Sequence, residues 1–244
     1  MAGARGALLY KHGFNVYLLG RKSADIDQCI HESDIILFSV PIREFKNSLK
    51  LVSKIDLKEK ILVDMSSVLL DHLNLLKKFS PNVGFIHLMF GPDVVDIKNK
   101  NIIISNEMND GRHMALIDVF KKEQANITET SSNHHDYMVS IVQSLSQFSS
   151  ITLAKTISEM DTSKKELDAF SSVTFSLNKE SISRIVNQNP ELWAAIQFNS
   201  IYIEKILDQH TKNIKLFKKY IKEKNYEKFS NTFSSMVPFW RSEE

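Results

Sequence analysis

The chain has 244 residues, 43% hydrophobic and 25% charged, a globular composition that excludes a disordered, collagenous or rod-like coiled-coil chain. Its 31 basic and 29 acidic side chains leave a net charge of +2, too small to attract nucleic acid or a membrane surface by charge alone. Cys29 is the single cysteine, the N-terminus has no signal-peptide pattern and no apolar run approaches the ~20 residues of a membrane span; the expectation is a cytoplasmic protein acting on a small molecule, with neither nucleic acid nor membrane as partner.

At the start of the chain, Gly3-Ala4-Arg5-Gly6 opens a short helical stretch that ends at His12-Gly13. This pattern matches the end of a G-x-G-x-x-G loop, whose glycines let a helix N-terminus approach a pyrophosphate. Its first glycine and the strand that would precede it are missing from the sequence. Such a loop is followed by a strand, here 15–19, and then by a carboxylate for NAD or a basic residue for NADP. Gly20-Arg21-Lys22-Ser23 stands there, so Arg21 favours NADP if a dinucleotide binds; the other reading is a solvated basic turn.

Further β-branched and apolar runs follow at 35–40, 60–64, 84–87, 101–105 and 125–128, separated by segments of helical length. Consecutive apolar positions such as Ile35, Ile36, Leu37 and Phe38 predict strands covered on both faces, hence an α/β Rossmann-like domain with a parallel sheet over residues 1–130. Ligands bind such sheets beyond the carboxyl ends of the strands. Those ends carry Ser39-Val40-Pro41, then Asp64-Met65-Ser66-Ser67-Val68, then His87-Leu88-Met89-Phe90-Gly91-Pro92. An imidazole at His87 would titrate near neutrality and take a proton from a substrate hydroxyl, with a serine one strand away to orient it.

All seven glycines lie at or before Gly111, which predicts an all-helical domain over 131–244. Met138, Ile141, Leu145, Phe148 and Thr152 recur at helical spacing, and Asn189-Pro190 reads as the cap of one helix of about thirty residues running through Trp193, Ile203 and Phe217. The neighbouring His134 and His135 point apart on a helix and predict no metal site, while Asp136 in the first turn would favour that helix's own dipole. The lysine-rich stretch from Lys205 to Lys228 reads as a solvated face.

The ordered segments Asp64-Met65-Ser66-Ser67-Val68, His87-Leu88-Met89-Phe90-Gly91-Pro92 and His135-Asp136 resemble the D-x-x-S-V-K, H-P-M-F-G-P and H-D motifs of prephenate dehydrogenases of tyrosine biosynthesis, and the resemblance runs almost from end to end. It implies oxidative decarboxylation of prephenate to 4-hydroxyphenylpyruvate with NADP or NAD, and a homodimer formed through the helical domain. It further implies that His87 is the base and that Ser67 bonds beside it and the nicotinamide. The cofactor would be held by Gly3, Gly6, Arg21, Ser39, Pro41 and Ser67, and the substrate by His135 and the positions of Gln147 and Ser176. There the chain departs from the pattern: Gln147 replaces a histidine and Ser176 an arginine, while Leu69 and Leu88 replace the lysine and proline of the first two motifs. Losing a charge-assisted bond of roughly 1.5–3 kcal/mol at Ser176 would weaken prephenate binding about ten- to a hundredfold. The departures are compatible with a related cyclohexadienyl substrate, such as arogenate or an amino analogue, or with a catalytically silent dimeric relative.

Overall fold

The computed structural model describes residues 2–91, 94–108 and 110–241. Two compact units are present, Met1–Ile201 and Tyr202–Glu244. In the first, α1 (Ala2–Lys11) and α2 (Ile26–Glu32) precede β1 (Ile35–Phe38), α3 (Phe45–Val52), β2 (Ile61–Asp64), α4 (Leu70–Leu76), β3 (Val83–Leu88), β4 (Asn101–Ser105), α5 (Met114–Lys122) and β5 (Asn126–Thr130). Every later element is helical: α6 (Ser132–Val139), a π-helical segment (Ser140–Leu145), α7 (Ser146–Ser158), α8 (Lys164–Ala169), α9 (Val173–Val186) and α10 (Pro190–Asn199). The second unit contains α11 (Ile203–Lys222) and α12 (Tyr226–Trp240), whose facing rings Phe217 and Phe229 pack edge to face with centroids 5.1 Å apart.

The five strands form one sheet in the order β1-β2-β3-β4-β5. Their apolar side chains alternate between two cores. Ile61, Val63, Ile86, Leu88, Ile102 and Ile104 join Leu116, Ile117 and Phe120 of α5 on one face. Leu62, Val83 and Phe85 join Phe45 and Leu49 of α3 and Leu69, Leu73 and Leu76 around α4 on the other. Burial on both faces is why the central β2 and β3 read as continuous apolar runs rather than alternating ones, whereas β5, with Ile127 as its one apolar residue, is largely exposed.

Three expectations are corrected. Residues 15–19 are extended but belong to no strand; Phe14 and Val16 pack against the first core, yet the backbone has no ladder partner among the described residues. A strand exists only where a neighbour takes its N–H and C=O groups, and among the described residues β1, at the sheet edge, pairs with β2 alone. The sheet is mostly rather than wholly parallel, since β3 and β4 run antiparallel with His87 opposite Ile103. The long helix expected after Pro190 is two helices: Ser200 leaves helical geometry at φ −79°, ψ 108°, and its hydroxyl meets that of Ser140 at 2.7 Å.

Candidate functional site

The carboxyl ends of β1, β2 and β3 lie side by side, because these strands are adjacent and parallel. Ser39 and Pro41 follow β1, Ser66 and Ser67 follow β2, and His87 is the penultimate residue of β3. Sequence reasoning therefore places these residues at one edge of one sheet. Pro92, which closes the third motif, lies outside the described residues.

Gly3 and Gly6 are not in a loop but in the first two turns of α1. A side chain at Gly3 would meet nothing within 4 Å, whereas a Cβ at Gly6 would stand 2.7 Å from Leu18 Cδ2. Gly6 thus permits the close approach of α1 to residues 16–18, and Gly3 leaves the helix start open. From the same helix, the half-buried Arg5 donates to Ser39 Oγ at 3.0 Å, and burial lowers the pKa of its guanidinium. Arg5 was not singled out from sequence; the available signal was a cation inside Gly-x-x-Gly.

His87 is 3% exposed, and its Nδ1 lies 2.8 Å from His135 Nε2. His135, 2% exposed, has its Nδ1 2.8 Å from Asp136 Oδ1. Asp136 also accepts from the backbone N–H groups of Leu69 (3.2 Å to each oxygen) and Leu70 (3.0 Å) at the start of α4. Asp136 lies beyond the first turn of α6, so the dipole it complements is that of α4 rather than that of its own helix. Burial, His135 and the Arg5 charge, in that order, push the His87 pKa down to about 3, so the expectation of titration near neutrality is corrected: the imidazole is neutral, with its lone pair available, but is a weaker base than a solvated one. Both His135 nitrogens are engaged by protein, which is at odds with the expected direct contact to substrate.

The register explains why these rings meet. Val83, Phe85 and His87 share one face of β3, and the His135 ring lies over this face, 4.8 Å from Phe85 and 5.0 Å from His87 between centroids. The start of α6 is pinned by Ser131, which caps His134 N–H, and by Glu107, which accepts from the Ser132 N–H and hydroxyl at 2.8 Å each.

A second carboxylate–imidazole pair lies one strand away. Asp64 accepts from the Ser66 N–H (3.0 Å) and hydroxyl (2.7 Å), and its Oδ2 is 2.7 Å from His72 Nδ1. The His72 ring stacks flat on Phe45, with centroids 3.7 Å apart and planes 5° apart. Sequence reading missed this pair, because its partners are eight residues apart with a strand end between them.

Of the remaining expected residues, Arg21 is ion-paired to Glu44 at 2.6 Å and is 77% exposed. Ser176, on α9, is exposed and its hydroxyl meets that of Ser171 at 3.1 Å. Gln147 is half-buried. Its Oε1, like those of Gln143 and Gln197, is buried without a hydrogen-bond partner among the described residues. The Gln197 orientation is fixed by its Nε2 donating to the Ser144 carbonyl at 2.9 Å.

Residues 131–235 match the family model described as the dimerization domain of prephenate dehydrogenase. A probable arogenate/prephenate dehydrogenase of Methanocaldococcus jannaschii is 26% identical over 260 residues, covering 96% of this chain and 57% of that protein. The T-protein of Haemophilus influenzae is 24% identical over 198 residues, covering 80% of this chain and 52% of its own. The chain therefore spans between half and three-fifths of the length of these curated relatives. Among solved structures, a prephenate dehydrogenase from A. aeolicus, in complex with hydroxyphenyl propionate and NAD+, superposes with a TM-score of 0.76 at 18% identity, covering 96% of this chain and 92% of that one. The Synechocystis arogenate dehydrogenase gives 0.74 at 16% identity, covering 97% and 94%. At these identities the structural likeness is one of fold.

Proposed function

We propose that this chain, whose residues 131–235 match the dimerization-domain model of prephenate dehydrogenase, is a member of that family and a cytoplasmic NAD(P)-dependent oxidoreductase that oxidatively decarboxylates prephenate to 4-hydroxyphenylpyruvate. The observation that carries the reading is the neutral, buried His87 at a strand end, held from behind by His135. We assign residues 1–130 to dinucleotide binding and 131–244 to dimerisation and substrate contact, with the working protein a homodimer.

The residues present suit a dinucleotide. The start of α1 is unobstructed at Gly3, Arg5 adds a cation beside Ser39, and Ser67 stands one strand over. Arg21 would meet a 2′-phosphate if it left Glu44, which favours NADP. When bound, the cofactor supplies the hydride acceptor. The chain's own part is to hold and move the hydroxyl proton: His87 accepts it as hydride leaves the same ring carbon, Ser67 holds the hydroxyl in place, and loss of the carboxylate as carbon dioxide leaves its electron pair to complete the aromatic ring, whose oxygen takes the proton back from His87. A dianionic substrate would also offset the Arg5 charge that holds the His87 pKa down.

A second reading, that the substrate carries an amino group as arogenate does, is favoured by one observation. Gln143 of the π-helical segment, Gln147 of α7 and Gln197 of α10 each hold a buried amide oxygen without a hydrogen-bond partner among the described residues. Unpaired buried acceptors cost roughly 1–3 kcal/mol each, and a ligand bringing N–H donors offsets this where a keto acid does not. The test is a thermal-shift titration with NADP and NAD, then turnover with prephenate and arogenate side by side. Stabilisation by either nucleotide with turnover of one substrate supports the proposal. No binding at millimolar nucleotide would make this chain a silent relative.

A further inference from the structure

We infer that Asp136, acting through His135, locks His87 in the tautomer that carries its proton on Nδ1 and leaves the lone pair on Nε2. His135 and Asp136 are then positioning residues for the reaction proposed above, on which only the turnover part of the inference rests.

Backbone N–H groups only donate, so the Asp136 oxygens facing Leu69 and Leu70 must accept. A carboxylate in that state has nothing to give His135, whose Nδ1 at 2.8 Å must therefore carry the proton. Neutral imidazole has one N–H, so His135 Nε2 is a bare acceptor. His87 Nδ1, 2.8 Å away, must donate to it. The same count applied to His87 leaves Nε2 bare, and this is the nitrogen able to take a substrate proton. The other assignment puts two protons on His135; that ring would donate to His87 Nδ1, and His87 would present an N–H instead of a base. It would bury a second cation in the field of Arg5, which already acts on His87, beside a carboxylate whose charge is shared by two backbone N–H groups.

The carboxylate therefore does two jobs at once: it caps α4 and sets a proton position two rings away. A purely structural pair would need only the first. Once His87 accepts a proton at Nε2, its Nδ1–H still donates to His135, whose Nδ1–H still donates to Asp136, so no bond in the chain has to turn over.

The experiment is ring nitrogen NMR of the full chain labelled with 15N-histidine at near-neutral pH, with the His87 signals assigned by their loss in His87→Asn. The expected wild-type result is a protonated Nδ1 and a bare Nε2 for both His87 and His135. A protonated Nε2 on His87, or a doubly protonated His135, overturns the inference. In Asp136→Asn the amide oxygen goes to the α4 N–H groups and its NH2 faces His135. Both tautomers should then flip, and kcat should fall by about 10²–10⁴-fold, with KM and nucleotide stabilisation within about threefold. An unflipped tautomer, or a flipped one with kcat intact, sinks the positioning role. If Asp136→Asn fails to fold, the wild-type spectrum still decides. Because that spectrum needs no substrate, an inactive wild type with the expected tautomer refutes the dehydrogenase reading alone, and an active one with the opposite tautomer refutes the lock alone.

Discussion

Two histidine–aspartate pairs lie one strand apart and differ in what the imidazole meets next. Asp64–His72 and Asp136–His135 have nearly the same separation, 2.7 and 2.8 Å, and both are buried. His72 stacks on Phe45, and Asp64 turns its oxygens to Ser66 in the same turn, so that pair closes on itself as a brace after β2. His135 continues to His87 at the end of β3. The residue types are the same; the neighbour on the far ring nitrogen distinguishes a brace from a relay.

The largest expected effect breaks the relay at its end. His87→Asn keeps an amide near the Nδ1 position to face His135 but removes the base, and turnover should fall by about 10²–10⁴-fold. Its mass by light scattering should stay that of the wild type, and unchanged turnover would remove His87 from the chemistry.

Acid should reveal the same ring through stability. Its folded pKa of about 3 lies below the ordinary value of 6.5, so the unfolded chain binds a proton that the folded one refuses between those values. That stability is complete above pH 6.5 and is lost as pH falls toward 3, by about 1.4 kcal/mol per pH unit within the window. Chemical denaturation of wild type and His87→Asn across the window should show a shallower acid slope in the variant. Parallel slopes would mean that His87 is not held neutral by the fold.

The brace should answer in the opposite sense. Asp64→Asn leaves an amide among donors that expect a carboxylate, and stability should drop by about 1–3 kcal/mol while turnover of the folded fraction stays within severalfold. Turnover that collapses at full stability would erase the distinction between the two pairs.

How much of this was legible in the sequence follows the range of the forces involved. Strands β2 and β3 were readable because burial on both faces writes consecutive apolar residues, whereas the exposed β5 offered only β-branched side chains; the places of His87, Ser39 and Ser67 at strand ends were readable with the strands themselves. The antiparallel β4 was not, since Ile102-Ile103-Ile104 would look the same in either direction. Residues 15–19 have strand chemistry but pair with no strand among the described residues, a property of the whole sheet and not of the segment. The break at Ser200 has neither glycine nor proline to announce it, and depends on a hydroxyl sixty positions away at Ser140. The contacts of Arg5, His135 and Asp136 were illegible for the same reason: each is made to a partner on another element.

The smallest effects concern the exposed rim, where neither brace nor relay operates. Arg21 and Glu44 form a solvated pair, and such pairs contribute about 0–1 kcal/mol. Arg21→Ala should therefore leave stability nearly unchanged, but it should weaken NADP by about tenfold and leave NAD alone if Arg21 meets the 2′-phosphate. Glu44→Gln supplies the complementary test. It frees Arg21 without removing it, so NADP affinity should rise by no more than about fivefold, the equivalent of the pair's 0–1 kcal/mol. Equal responses of NADP and NAD to both changes would leave Arg21 a solvated basic residue with no part in choosing the cofactor.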